Sequence, residues 1–337
     1  MRRHFFNRHE WFLVALLVVL GACITYYNPN FLTFENLTDL LKSVTVLGIF
    51  TLGLFMVIVS GGFDVSFTAI AQSVQYAVVA MMVYWFEGNI LLAFAIAIVF
   101  GLILGCINGA IIYFFGIPPI MVTIATQSIY YGIMFVVTRG DLIHSIPVYF
   151  REFSNTRVIE FYKAGGIPYG LTLMTFLWIV MGIAVALFLK HPRLGRSVFA
   201  IGGNRISAER VGFNLRRTTI FVYGAMGAIA GFACIVDASI AGAVVPNSIV
   251  GKEMQIIAAV VLGGTAITGG KGSVQGIFLG VFVFAVLQNS LTLLQISSYY
   301  YKVFTGLIIL LSIIGNAVQI KRQESKKVRI QVDPVSR

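Results

Sequence analysis

Charge is what this chain has least of. Only 11% of its residues are Asp, Glu, Lys or Arg, well under the roughly 25% of an average soluble domain. From Ser43 to Thr138 there is no Lys or Arg and the only acids are Asp64 and Glu87; from Met254 to Tyr301 the only charge is Lys271. A soluble fold could not hide the 58% of residues that are hydrophobic, so lipid is the expected solvent. Cysteine is scarce too. Cys23, Cys106 and Cys234 stand alone in apolar segments, with neither metal-ligand spacing nor a paired framework. The four histidines are scattered through termini and loops, so no metal site is expected. No nucleophile–base pairing is evident, and Asp64 and Asp237 lack the context of an intramembrane protease. No catalytic residue is expected, and the chain does not read as an enzyme.

The charges that are present are concentrated. Of 24 Lys and Arg residues, seven (Lys190, Arg193, Arg196, Arg205, Arg210, Arg216, Arg217) fall between Lys190 and Arg217, opposed only by Glu209. The net charge of +11 sits in termini and loops, and no basic face carries interleaved aromatics. The excess therefore reads as topogenic, and nucleic acid is not an expected partner. At the N-terminus, Arg2, Arg3 and Arg8 precede an apolar run from Trp11 to Ile24, and Leu20-Gly21-Ala22-Cys23 approximates a lipoprotein cleavage box. Because many similar runs follow, this one is expected to be an uncleaved first span.

A membrane span needs about 20 mostly apolar residues. Breaks at charges, Pro and Gly clusters give about ten candidates: 11–27, 43–60, 65–86, 90–114, 118–138, 171–189, 217–237, 254–268, 273–294 and 299–319. The second and eighth are candidates for bent or re-entrant segments. With ten spans, 17 Lys and Arg fall on the face holding both termini, the 190–217 loop and Lys271, and seven on the other. Positive charge favours the inside. The expectation is an all-α polytopic helix bundle in one transmembrane domain, 1–337. Both termini, the 190–217 loop and a basic tail at 320–337 should be cytoplasmic. The loop offers a soluble partner a surface to hold. On the outside, Arg139 to Gly170 mixes both charges with aromatics, as an interfacial helix, a lid or a solvated loop would.

Polar residues inside the runs are few and patterned. Gly61-Gly62-Phe63-Asp64-Val65-Ser66 interrupts one apolar stretch and starts another. Asp64 either caps the following helix or heads a stripe with Thr68, Gln72 and Gln75, which share one helical face. Thr123, Gln127 and Tyr130 share a face of the fifth span; Gln288, Thr292 and Gln295 share one in the ninth, beside Asn289. Such hydroxyls and amides suit a neutral polyhydroxylated solute, and equally suit helix–helix hydrogen bonding. Asp64, Thr68, Gln72, Asn108, Thr123, Gln127, Gln288 and Thr292 are the candidate substrate path. Gly101, Gly105 and Gly109 form a close-packing ridge, with single steps at Gly227/Gly231 and Gly276/Gly280. Gly269-Gly270-Lys271-Gly272-Ser273 is not a phosphate loop: Thr265 stands where the first glycine is needed, and Gly272 follows the lysine.

Four stretches together resemble a known family. They are Val57-Ile-Val-Ser-Gly-Gly-Phe-Asp-Val-Ser66, Gly105-Cys-Ile-Asn-Gly-Ala110, Gly202-Gly-Asn-Arg-Ile-Ser-Ala-Glu-Arg-Val-Gly212 and Ile257-Ala-Ala-Val-Val-Leu-Gly-Gly-Thr-Ala-Ile-Thr-Gly-Gly-Lys-Gly-Ser273. In order and spacing they resemble the membrane permeases of bacterial ABC importers of the ribose, xylose and galactose type, a group that includes autoinducer-2 permeases. The resemblance spans roughly residues 35 to 320. It implies a non-catalytic pore subunit in the bacterial cytoplasmic membrane. Two permease chains, identical or sister, would pair with two cytoplasmic ATPase subunits and take solute from a periplasmic binding protein. ATP would be bound by the ATPase, so this chain needs no cofactor of its own. It also implies that Gly202, Gly203, Asn204, Ala208 and Gly212, with neighbouring Arg196 and Arg205, couple the ATPase stroke to the membrane. On that reading, bulky replacements at Gly203 or Asn204 abolish uptake while the protein stays in the membrane. The breaks near 61–62 and 263–272 are the expected flexure points. Phe67-Thr68 and Ile206-Ser207 depart from the small residues usual in the family, which leaves the substrate open. The competing reading is a stand-alone transporter driven by protons or sodium. It needs an ionisable cluster at mid-membrane, and Asp64 and Asp237 lie near predicted span ends.

Overall fold

In lipid a backbone must close its own hydrogen bonds, so each apolar run forms a helix. The computed structural model describes residues 8–308 except 164, 167 and 298, together with Leu310 and Ile314. Its helices are α1 (Arg8–Tyr27), α2 (Phe34–Ser43), α3 (Thr45–Val59), α4 (Phe67–Tyr84), α5 (Ile90–Phe115), α6 (Pro119–Thr138) and α7 (Val148–Asn155). After strands β1 (Arg157–Tyr162) and β2 (Pro168–Thr172) come α8 (Leu173–Lys190), α9 (Arg193–Gly203), α10 (Arg205–Arg210), α11 (Leu215–Ala241), α12 (Glu253–Leu262) and α13 (Val274–Leu293). Residues 299–308 are helical again. The rest of the tenth expected span, the tail 320–337 and Arg2 and Arg3 lie outside the described residues.

Among the described residues, seven helices are long and apolar enough to cross a membrane (α1, α4, α5, α6, α8, α11, α13), and α2 with α3 makes an eighth if counted as one span bent by 48°. Two expected spans change shape. The segment expected at 43–60 becomes the 15-residue α3, about 22 Å long and short of the ~30 Å hydrocarbon core. It is buried along nearly its whole length by α8, α11, α12 and α13. The segment expected at 254–268 is helical for ten residues and stops at Leu262. Gly263 and Gly264 follow, and the chain runs through a non-helical loop to Ser273, whose hydroxyl caps α13 by accepting from the Gly276 amide at 3.0 Å. A half-length helix ending in open backbone is tolerable in a membrane protein only where the rest of the bundle encloses it.

The glycine ridge performs the close packing expected of it. α5 and α11 share the most extensive contact in the molecule. A Cβ on Gly101, Gly105 or Gly109 would run into the α11 backbone at Gly227, Tyr223–Gly224 or Ile220. Gly276 and Gly280 bring α13 equally close to α12 at Gly263 and Ala259. Where lipid supplies no hydrophobic drive, such backbone approach holds helices together.

The all-α expectation misses one feature. Between Arg139 and Gly170, α7 is followed by a two-stranded antiparallel hairpin, β1 with β2. The turn uses Gly165 and Gly166 at φ of 109° and 76°, which side-chain-bearing residues rarely adopt. The hairpin clasps α2: Phe34 meets Phe161 edge-on at 5.3 Å, and the Lys163 ammonium donates to Glu35 at 2.9 Å.

Candidate coupling and translocation sites

Local capping shapes the basic loop. Asn204 caps α10, its Oδ1 accepting from the Ser207 amide at 2.8 Å, and Asn214 caps α11, accepting from Arg217 at 2.8 Å. Gly212, at φ 88°, turns the chain between them. One face of the loop is anchored: Gly195, Ser197, Val198 and Ala208 are buried, and the Ser197 hydroxyl lies 2.8 Å from that of Thr218. The other face is open. All seven basic side chains are exposed, as are Gly203 and Asn204, and Ile206 and Val211 are 65% and 78% exposed among them. Exposed aliphatics inside a basic rim are the composition of a docking surface.

The loop's closest approach to the helix breaks is at Gly202. A Cβ on Gly202 would collide with the Val59 carbonyl oxygen and come within 2.7 Å of the Gly270 nitrogen. The same Gly270 amide donates to the Val59 carbonyl at 2.8 Å. Gly269 packs against Gly61, and Gly270 against Gly203, at 2.7–2.8 Å from a built Cβ. Gly61 and the glycine pairs 202–203 and 269–270, far apart in sequence, thus supply a single backbone junction. There the end of α9 touches the break after α3 and the break after α12. Gly203 differs from its neighbour: nothing lies within 4 Å of a Cβ built on it.

The α4 stripe is buried, and its polar groups are bound internally except for Asp64 Oδ2, which is buried without a hydrogen-bond partner. Asp64 Oδ1 accepts from the Ser66 amide at 2.8 Å and the Ser66 hydroxyl at 2.6 Å, a turn that leads directly into α4. Asp64 is thus a buried turn-former and not the cap, since Ser66 stands at the N-cap of α4 and no side chain caps that helix. From Ser66 the chain of bonds continues: Asn108 Nδ2 donates to the Ser66 hydroxyl at 2.7 Å, and the Tyr130 hydroxyl to Asn108 Oδ1 at 3.0 Å. The Thr123 hydroxyl donates to the Phe63 carbonyl at 3.4 Å. One turn further along α4, Thr68 donates to Glu253, which also accepts from Gln127 Nε2 at 2.7 Å and the Gly251 amide at 3.1 Å. Gln72 holds the 242–252 loop, donating to the Val245 carbonyl at 3.0 Å and accepting from the Ile249 amide at 2.9 Å. Gln75 donates to the Cys234 carbonyl at 2.9 Å and to Asp237 Oδ2 at 3.0 Å. Of the expected path, Asp64 and Asn108 meet at Ser66, Thr68 and Gln127 meet at Glu253, and Gln72 and Thr123 bind the backbone of neighbouring segments.

Gln288 and Thr292 stand elsewhere. Both are exposed on α13, and the Thr292 hydroxyl donates to the Gln288 carbonyl of its own helix at 3.2 Å. Asn289 beside them pairs with Asn36 on α2 at 2.8 and 3.1 Å. Gln288 does line a cavity of about 430 Å³ with Asp39, Lys42, Phe50, Asp237, Lys252, Gln255 and Tyr301. The two regions meet at Asp237, which takes Gln75 on one oxygen and faces the Lys252 ammonium at 3.7 Å with the other.

Family comparison agrees with this architecture. Residues 36–313 match the model of the family described as "Branched-chain amino acid transport system / permease component". The chain belongs to that family. Among curated proteins it is 31% identical to the ribose import permease of Escherichia coli (strain K12), over 90% of this chain and 91% of that one. It is 28% identical to an L-arabinose ABC transporter permease of Azospirillum brasilense over 94% and 90%, and 29% identical to the D-allose transport system permease of E. coli (strain K12) over 90% and 89%. No solved structure matches the chain significantly.

Sequence reasoning missed the permease's central acid. Glu253 is 6% exposed, yet it follows Lys252 at the boundary between the 242–251 stretch and an apolar run, and reads as the edge of a surface loop. Glu10 is missed likewise: it is 3% exposed and takes the Ser273 hydroxyl, while His9 Nε2 lies 2.8 Å from the Leu262 carbonyl. Both burials depend on partners more than 120 residues away. The one signal available was position, since an acid in the first turn of a helix is favoured by the helix dipole.

Proposed function

We propose that this permease is the translocation subunit of an ATP-driven importer in the bacterial cytoplasmic membrane, carrying a sugar or sugar-like solute. Its ATP is hydrolysed by a separate cytoplasmic ATPase, and its solute arrives on a periplasmic binding protein. The pore is formed with a second permease chain. The chain itself performs no catalysis. The observation that carries this reading is the glycine junction: an exposed basic loop built to receive a soluble partner reaches both helix breaks of the bundle through bare backbone. Closure of a docked ATPase pair pushes on α9 and α10, and Gly202 passes that displacement to Gly61 and Gly269–Gly270. The bundle then rocks between outward and inward states. The similarity to ribose, arabinose and allose permeases supports a sugar as the cargo.

The test is uptake of labelled D-ribose, L-arabinose and D-allose into proteoliposomes holding the permease with its ATPase and binding protein. Uptake of one of these should require ATP and both partners, and should persist when ionophores collapse the ion gradients. Uptake that survives removal of the ATPase but stops with the ion gradient would overturn the reading in favour of an ion-coupled carrier.

A further inference from the structure

We infer that the cavity between α2, α3, α11, α12 and α13 is a solute station for a neutral polyhydroxylated molecule, gripped by Asp237 and Lys252. This inference rests on the sugar-importer reading above. At about 430 Å³ the cavity falls within the roughly 300–1,000 Å³ of small-molecule sites. Its charges balance, with carboxylates at Asp39 and Asp237 and ammoniums at Lys42 and Lys252. A charged solute would gain from one pair and lose to the other. A neutral solute with adjacent hydroxyls can donate to a carboxylate and accept from an ammonium at once, the arrangement in which charge-assisted hydrogen bonds add.

The lining is also prepared for such a guest. Asp237 is held from behind by Gln75 at 3.0 Å, so its second oxygen is fixed in direction. That oxygen lies 3.7 Å from the Lys252 ammonium, longer than a tight charge-assisted hydrogen bond, so a hydroxyl can replace the contact without breaking one. Gln255 donates to the Tyr301 hydroxyl at 2.5 Å, which fixes a second polar wall. Val46, Leu47 and the exposed Ile240 contribute apolar surface for the C–H face of a sugar ring. Gln75 ties this lining to the hydrogen bonds along α4. Asp237 is the residue that joins the two.

The station is tested in the assembled transporter with Gln288→Cys, a cavity-lining and exposed position. The exposed Cys23 and half-buried Cys106 are replaced by Ser. Labelling of the new thiol by a water-soluble methanethiosulfonate is timed with D-ribose, L-arabinose or D-allose present. The transported sugar, at ten times its half-protecting concentration, should slow labelling about tenfold by mass action. An osmotically matched betaine solution should not. In parallel, Asp237→Asn and Lys252→Met should each raise KM for uptake about tenfold, the loss of one charge-assisted hydrogen bond. ATP-driven uptake of one sugar with no protection by it would overturn the station and leave the importer standing. Protection without ATP-driven uptake would uphold the station and sink the importer. Neither uptake nor protection would overturn both.

Discussion

Two regions of this permease hold the bundle together by opposite means. At the junction of Gly61, Gly202 and Gly269–Gly270 backbones touch with no side chain between them. Around α4, side chains do the joining: Ser66 accepts from Asn108 of α5, Thr68 binds Glu253 of α12, which also takes Gln127 of α6, Gln72 holds the 242–252 loop and Gln75 binds Asp237 of α11. Bare backbone contact is short and stiff, and it transmits displacement. A network of buried hydrogen bonds is costly to open and keeps its elements in register. On the proposed reading the glycines carry the stroke, and the polar residues keep α4 in register.

The comparison can be broken at either region. The largest effect is expected from Gly202→Val, which places side-chain carbons inside the Val59–Gly270 contact. Overpacking of this kind costs about 1–3 kcal/mol or more, so both the melting temperature and ATP-driven uptake should fall. A stable, fully active Gly202→Val protein would show that the junction is loose. Next comes Glu253→Ala, which strips an acceptor from Thr68, Gln127 and Gly251. Leaving buried donors unpaired costs about 1–3 kcal/mol each. Thermal unfolding should show a clear loss, and Glu253→Gln, which keeps an acceptor oxygen, should recover part of it. A smaller and local effect is expected from Asn204→Ala. Loss of a helix cap costs about 1 kcal/mol, and faster amide exchange confined to residues 205–210 would report it. Smallest of all is Thr292→Ala. Its hydroxyl bonds only within α13 at an exposed position, so uptake and melting temperature should match the parent. A strong loss of uptake there would extend the solute's route along α13 beyond the cavity at Gln288.

Much of the bundle was readable from the sequence because its causes are local. Long apolar runs make spans, and glycines four residues apart make the close α5–α11 contact. The glycine pairs at 61–62, 202–203 and 269–270 were legible as breaks and as family signatures, but their meeting point was not. Nothing in the spacing of three segments says that they share one contact. The half-length α12 was visible only as an ambiguous span, since its end is set by a loop seated on Gly61 and Gly202. The hairpin was missed because Gly165 and Gly166 sit in a stretch whose charges and aromatics equally suit a surface loop. For the polar residues, burial was only partly legible. Polarity placed Gln72 and Gln127 inside, while Gln288 and Thr292 carry the same chemistry on a face that α12 and α2 leave uncovered.

Gly203 offers the most direct test of the central claim, that the basic loop receives the ATPase stroke. Its Cβ position is open and the residue is exposed, so Gly203→Val adds bulk to the docking face without entering the bundle. Uptake and thermal unfolding of this variant should be measured together, beside the parent. The account predicts a protein that inserts and melts like the parent but has lost ATP-driven uptake. Normal uptake by a folded Gly203→Val protein would contradict it.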